Sequence, residues 1–566
     1  MYPSLILPLS LPPSLCASEP LFHTLAIPPT LGLITPMPRF LSALLLACAS
    51  LVAAEPLLLP RPASIELVEA RLQTTELKVW QAEPAEFAKA ARILSADGTL
   101  KVSQVSEESK RPVKIVDGQG NPRTLMGAAF GSDLPVLRIS RLKTGGYTLR
   151  IQPTVIDLAY GPDDQLNAAL TTLRQLAWSS PSGWSVPCGT IFDTPRYRHR
   201  GYMLDDSRHF TGKAGVLRLL DAMELLKLNV FHWHLTDDPG WRIEIKQYPK
   251  LTSVGALGSH TDKSAPAAFY TQADVREVVA YAEARGIAII PEIDMPGHAA
   301  AANRAYPEFS GGGSKKYPDF TFNPASPATE AYLRDILTEV RALFPKAPAI
   351  HLGGDEVHFG WEQWPKLPEV GQLMAAEKFT KLDEVEGRFV RRMADHLAPT
   401  WDRVALWDEA SRFDLPKAKT LLFWWRHDKP QGLKDAADKG YDIVLCPRIP
   451  LYFDFVQDAA HKSGRRWAGK FAELKAVHAF PESLGATLPA NARVVGLQAN
   501  LWTETAATQE RRDFLTFPRL LALAESAWTP ADRKDFDRFQ QAQALLLPRI
   551  AALGLKPWTG GPEIAK

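Results

Sequence analysis

The sequence has little cysteine, little net charge and, after its first fifty residues, no long apolar run. Each shortage excludes a class of protein. Four cysteines in 566 residues are too few for a disulfide framework. Cys16 and Cys48 fall in leader sequence, and Cys188 and Cys446 have no metal-ligand spacing, which leaves room for one bridge at most. A formal net charge of +2 gives no electrostatic footprint for nucleic acid or an anionic membrane as partner. Past residue 52 no apolar run is long enough to cross a bilayer. What is plentiful is tryptophan, fifteen in all. A Trp surplus is equally what a core and a sugar cleft need, because pyranose faces pack their C–H groups on flat rings.

Residues 1–36 are rich in Pro and Leu and carry no helix or strand period. Met37 opens a cleaner pattern: Arg39, an apolar run over 40–52, then Val52-Ala53-Ala54 before Glu55. That is a signal peptide over 37–54, with 1–36 a mis-assigned leader and Met37 the true start. Leu45-Leu46-Ala47-Cys48 also resembles a lipoprotein signal, although the Leu before Ala47 is not the favoured residue. Either route exports the chain to the periplasm or beyond, and lipidation at Cys48 would be its one tie to a membrane.

Residues 55–197 mix strand-like runs (76–80, 147–151) with an amphipathic helix (165–176) and gather no acid, His or Cys cluster. They are expected to form a small α+β domain. From residue 198 to 530 the pattern turns regular. Strand candidates at 201–205, 229–235, 288–293, 349–352, 404–407, 420–425, 442–446 and 494–499 alternate with helical stretches such as 214–226, 272–285, 329–344 and 383–396. Eight repeats over about 330 residues predict a (β/α)8 TIM barrel, an α/β fold. A doubly wound sheet is disfavoured because no Gly-rich loop follows the first strand. Residues 531–566 hold one more helix and a polar tail.

Barrel enzymes build their sites at the C-terminal ends of the strands, and those ends are where this sequence concentrates its polar groups. They run Asp205-Asp206-Ser207-Arg208, Thr236-Asp237-Asp238, Glu292-Ile293-Asp294 through His298, His351-Leu352-Gly353-Gly354-Asp355-Glu356, Trp407-Asp408-Glu409, Trp424-Trp425-Arg426, Tyr452-Phe453-Asp454 and Trp502-Thr503-Glu504. Buried unpaired, each would cost desolvation, so a purely structural barrel has little reason to collect them. Gly353-Gly354 clears side chains just before two adjacent carboxylates and lets a ligand approach the backbone. Neighbouring residues on extended chain point apart, which suits two different jobs better than the paired carboxyls, about 5 Å apart, of an ordinary retaining glycosidase.

With those motifs in view, the sequence resembles glycoside hydrolase family 20, the β-N-acetylhexosaminidases, over about residues 200–529, and the preceding α+β domain is one that accompanies this barrel in the family. The resemblance implies exo-hydrolysis of terminal N-acetylhexosamine from glycans or chitin oligosaccharides, with the substrate's acetamido group as nucleophile and no cofactor or metal. It implies Glu356 as general acid and base, Asp355 on the acetamido nitrogen and Tyr452 on the acetamido carbonyl. Trp407, Trp425 and Trp502 would be walls, with Arg208, Glu504 and Asp454 on the ring hydroxyls. Asp237 and His298 would be a polar pair near Glu356, steadied by Asp294. A lacto-N-biosidase, a transglycosylase and a silent carbohydrate-binding barrel are the alternatives.

Blander expectations stand beside these. His232 and His234 share a strand face and could ligate a metal, but packed barrel histidines are favoured. Asp205 and Asp206 are expected to be structural partners of Arg200 or Arg208, and Trp424 to be core. Trp241, Trp361 and Trp364 could line an outer subsite. The charged run 377–386 predicts a solvated helix face.

Overall fold

A computed structural model describes residues 55–561 apart from residue 81, stretches of 106–133 and residues 163–164, together with residue 563. The expected leader, signal peptide and Cys48 lie outside the described residues.

Residues 53–566 make one compact unit. Its first part is a mixed sheet whose path runs through Ser64–Thr74, Gly183–Asp193, Tyr147–Ile151, Val155–Tyr160, Val136–Arg141, Glu76–Trp80 and Lys101–Gln104. The helices Pro84–Leu94 and Gln165–Leu176 bury their apolar stripes, including Ala90, Ile93, Leu170 and Leu173, into the same core as Leu77, Leu149 and Leu158.

Eight parallel strands then close into a barrel: His199–Asp205, Val230–His234, Ala288–Glu292, Ile350–His351, Val404–Trp407, Thr420–Trp424, Asp442–Leu445 and Arg493–Leu501. The last strand pairs with the first. The eight expected apolar runs are these strands, because strands covered by helices outside and packed side chains inside are apolar on both faces. Alternation decides which face each residue joins. Ala405, Trp407, Leu421, Phe423 and Trp425 enter the barrel interior. Val404, Leu406, Leu422 and Trp424 join the layer between barrel and helices. Trp424 is therefore core and Trp425 faces the mouth.

The sheet and the barrel share a seam. Trp528, in the helix Arg519–Trp528, belongs to the core of the N-terminal sheet. Its indole N–H donates to Asp193 at 2.9 Å. Lys227, fully buried, donates to the same carboxylate at 3.1 Å, and the Tyr147 hydroxyl donates to it at 2.6 Å.

Three expectations need correction. The run 377–386 is not one helix. Pro368–Glu377 ends on Lys378 in the left-handed region (φ 59), and a second helix runs Leu382–Leu397, where Glu386 is buried and receives Arg412 at 2.7 Å. Trp241 and Trp364 do not line a subsite. Both are buried, with their indole N–H groups spent on the Ile243 carbonyl (2.7 Å) and the Thr321 hydroxyl (2.8 Å). Cys188 and Cys446 form no bridge, since each is a free thiol in a different core cluster. No helix among the described residues is long and apolar enough to cross a membrane.

Candidate active site

The fourth strand is two residues long, and the chain beyond it is tightly bent. Gly353 (φ 64), Gly354 (φ 84) and Glu356 (φ 54) all have positive φ, a conformation that costs a residue with a Cβ roughly 1–2 kcal/mol. At Gly353 an added Cβ would lie 1.8 Å from the Asp294 carboxylate. The missing side chain there makes room for Asp294, not for a ligand as the sequence suggested. Asp294 uses that approach to accept the Gly354 N–H at 3.2 Å. It is buried beneath the pocket and makes no hydrogen bond to His298, although their polar atoms lie within 4.8 Å of one another and of Asp355. Burial and the nearby Asp355 push its carboxyl well above the usual range.

Asp355 is 8% exposed, and Glu356 next to it is half-buried. Burial first, then the charge of Glu356, raises the Asp355 carboxyl to about 6 against the pull of His298. Its Oδ1 is buried without a hydrogen-bond partner. The His298 ring bridges toward both carboxylates, with Nε2 at 3.7 Å from Asp355 and 3.8 Å from Glu356. Its Nδ1 lies 3.2 Å from Asp237. Burial disfavours the imidazolium, but Asp237 and Asp355 outweigh it and hold the His298 pKa well above its ordinary value. Asp237 in turn binds Arg208 at 2.6 Å and accepts from His234 at 2.9 Å. Arg208 also lies over the Trp502 ring at 5.0 Å.

Opposite this charged wall stands an aromatic box. Trp425 and Tyr452 stack with planes 11° apart and centroids 6.1 Å apart. Trp502 packs against Tyr452 at 6.1 Å and Trp407 at 5.9 Å. Burial holds the Tyr452 hydroxyl well above its ordinary pKa, so it is a proton donor. The Trp425 indole donates to Glu409 at 2.9 Å. Asp454 is fully buried at the next edge, raised to about 7 by burial, with Arg465 3.2 Å away and reaching Glu504 as well.

All twelve expected residues thus collect at one end of the barrel. Asp205 and Asp206 are braces: Asp205 takes the Ser207 and Arg208 N–H groups and Thr503, and Asp206 takes Trp233 and Tyr270. Two contributors were given no role by the sequence: Arg519 carries no signal there, and Glu292 shows only as one of the polar residues at a strand end. Arg519, buried in a helix, donates to the carbonyls of Phe453 (2.6 Å), Phe455 (2.9 Å) and Ala472 (3.0 Å) and so pins the loop that carries Tyr452 and Asp454. Glu292, at the end of the third strand, collects the indole of Trp407 (3.0 Å) and His234 (2.5 Å). Three groupings, His232–Glu292–His351, Asp237–Asp238–His298 and Asp294–His298–Asp355, bring ligand-type atoms within 4.8 Å. In the two groupings that contain His298, the imidazolium lies against the carboxylates of Asp237, Asp238 and Asp355, whereas burial holds His232 below its ordinary pKa, at about 4.

Two family models match the chain one after the other. Residues 197–531 match the family model described as glycosyl hydrolase family 20, catalytic domain, and residues 55–194 match its domain 2. The chain is 37% identical over 417 residues to a β-hexosaminidase of Vibrio furnissii, across 70% of this chain and 67% of that one. It is 30% identical over 486 residues to a β-N-acetylhexosaminidase of Cellulomonas fimi, across 83% and 90%. The structure is similar to the exo-β-N-acetylglucosaminidase of Vibrio harveyi solved with N-acetylglucosamine, at TM-score 0.76 and 31% identity, covering 89% of this chain and 78% of that one.

Proposed function

The chain belongs to glycosyl hydrolase family 20 and is a glycoside hydrolase, and on that premise we propose that it is an exo-acting β-N-acetylhexosaminidase working by substrate assistance. Its substrate is a terminal, non-reducing N-acetylhexosamine on a glycan or chitin oligosaccharide. The observation that carries this reading is Asp355. A buried carboxylate oxygen with no partner, beside a half-exposed Glu356, is built to receive a hydrogen bond from the substrate. An acetamido N–H supplies one.

In the first step the acetamido carbonyl oxygen attacks C1 and the bond from C1 to the leaving oxygen breaks. The Glu356 proton passes to that oxygen. Asp355 accepts the acetamido N–H and offsets the charge of the oxazolinium. Tyr452 donates to the acetamido oxygen and holds it in line. Trp407, Trp425 and Trp502 close around the methyl group and the sugar face, while Arg208, Asp454 and Glu504 hold ring hydroxyls. In the second step water attacks C1, gives its proton to Glu356 and reopens the oxazolinium, so the β configuration is kept. Acid catalysis of this kind contributes on the order of 10²–10⁴-fold. The Asp237–His298 pair presents a cation 3.7 Å from Asp355 and 3.8 Å from Glu356, and at Asp355 it offsets part of the burial that raises the carboxyl. Asp294 acts from below, through the Gly354 backbone.

Release of nitrophenol from a β-N-acetylglucosaminide, with and without a thiazoline mimic of the oxazolinium, tests the reading. Turnover that the thiazoline blocks is the expected result. Glu356→Gln should lose activity on poor leaving groups yet bind ligand, and Asp355→Asn should lose it on activated aryl glycosides too. Equal, small losses from both would overturn the mechanism. Export belongs to the same proposal: the mature protein should be found outside the cytoplasm and begin at Glu55 or at a lipidated Cys48, and a cytoplasmic protein that retains Met37 would refute it.

A further inference from the structure

Beneath the pocket lies a polar cluster that the mechanism above does not use. Glu292 ends the third barrel strand and is completely buried, a position where a lone carboxylate is costly. It is not alone. The Trp407 indole N–H donates to its Oε1 at 3.0 Å. His234 Nδ1 donates to its Oε2 at 2.5 Å, and His232 Nε2 lies 3.1 Å from the same oxygen. The Gln498 amide donates to His232 Nδ1 at 3.0 Å, which places the His232 proton on Nε2, facing Glu292. His234 is held between two carboxylates, because its Nε2 donates to Asp237 at 2.9 Å. Burial works against its charge, but Glu292 and Asp237 outweigh it, and the ring is an imidazolium. Glu292 is thereby kept ionised despite its burial, with both oxygens committed.

One of those commitments reaches the reaction. Trp407 is 1% exposed, and its ring is a wall of the proposed acetamido pocket. An indole in a packed box can still pivot about its side-chain bonds, and the only hydrogen-bond donor it owns is aimed at Glu292. We propose that Glu292 is a positioning residue for this reaction, fixing Trp407 so that the acetamido group is held in line with C1. The His234 imidazolium keeps the carboxylate in the acceptor-only state that the indole N–H needs, and ties it to Asp237. The inference rests on the substrate-assisted reading above.

The test is Glu292→Gln, which keeps the shape and turns one acceptor oxygen into an N–H donor; on the Oε1 side that donor would face the Trp407 indole N–H, as well as His351 Nδ1 at 3.0 Å. In a folded variant, kcat on the nitrophenyl glycoside and affinity for the thiazoline should fall together, on the order of 10- to 100-fold, with KM within threefold. A residue that only held the barrel together would lower the melting temperature without moving that split. On a Trp407→Phe background, which has no indole N–H, the Glu292→Gln penalty should shrink to less than half its logarithm. Wild-type kcat and thiazoline affinity in folded Glu292→Gln, or an undiminished penalty on the Trp407→Phe background, would overturn the proposal. If Glu292→Gln does not fold, Trp407→Phe alone decides, since it removes the same bond from the other side. It should show the same joint fall, and unchanged kcat and thiazoline affinity would refute the role. A wild-type enzyme indifferent to the thiazoline would instead overturn the functional reading itself.

Discussion

Asp355→Asn should make the protein more stable while it destroys activity, and the gain should depend on pH in a defined way. The carboxyl stands at 3.8 in an unfolded chain and about 6 in the fold. The folded protein therefore binds this proton more tightly than the unfolded one. The contribution of Asp355 to stability is greatest in acid, falls as pH rises from 3.8 to about 6, and is level above that. At 1.36 kcal/mol per pH unit, keeping the group ionised at pH 8 costs the fold ~3 kcal/mol. Asparagine removes that penalty at nearly the same volume. A unit of about 500 residues unfolds with an entropy of about 1 kcal/mol/K, so the variant should melt about 3 °C higher at pH 8. At pH 4.5 the gain should shrink to about 1 °C, because the wild-type group is by then protonated in the fold. Scanning calorimetry of both proteins from pH 4.5 to 8 reads the difference directly. A variant no more stable than wild type at pH 8, or a gain that does not shrink in acid, would show that burial of this carboxylate is already compensated by its neighbours.

Gly353→Ala places a methyl 1.8 Å from the Asp294 carboxylate at a φ of 64; kcat should fall by on the order of 10-fold or more, and a loss under twofold would mean that Asp294 moves aside freely. Trp364→Ala empties a fully buried site and should cost ~3–5 kcal/mol in denaturant unfolding with KM unchanged, whereas a raised KM at full stability would return Trp364 to the substrate. Cys188 and Cys446 are buried and unbridged, so a thiol reagent should label neither until the protein unfolds, and melting should be the same with and without reductant.

The barrel is easy to see in the sequence and the domain before it is not, for one physical reason. A strand such as 404–407 is buried on both faces and appears as an unbroken apolar run. The strand Ser64–Thr74 lies at the sheet edge with much of its length exposed and reads as polar chain, so of that sheet only 76–80 and 147–151 stand out. Apolar runs locate the strand ends where polar groups gather; which twelve of those residues form the site is what the resemblance to family 20 implies. Residues that act through another residue are the ones the sequence hides. Glu292 stands in plain view inside a strand end, but nothing in one dimension says that its oxygens meet Trp407, 115 positions away. Arg519 sits in a helix and declares itself only when the carbonyls of residues 453, 455 and 472 come round to it.

The seam between sheet and barrel bears on how such proteins can be recombined. Asp193 belongs to the sheet, Lys227 to the turn after the first barrel helix and Trp528 to the last barrel helix. A chimera that joins this sheet to the barrel of a relative inherits the carboxylate from one parent and its cation and indole from the other. Where the relative has no cation at the position of Lys227, the hybrid carries a buried charge without its counterpart, a loss of roughly 3–5 kcal/mol by the usual measure of a broken buried pair. A hybrid that keeps residues 193, 227 and 528 together keeps the buried carboxylate with both of its partners.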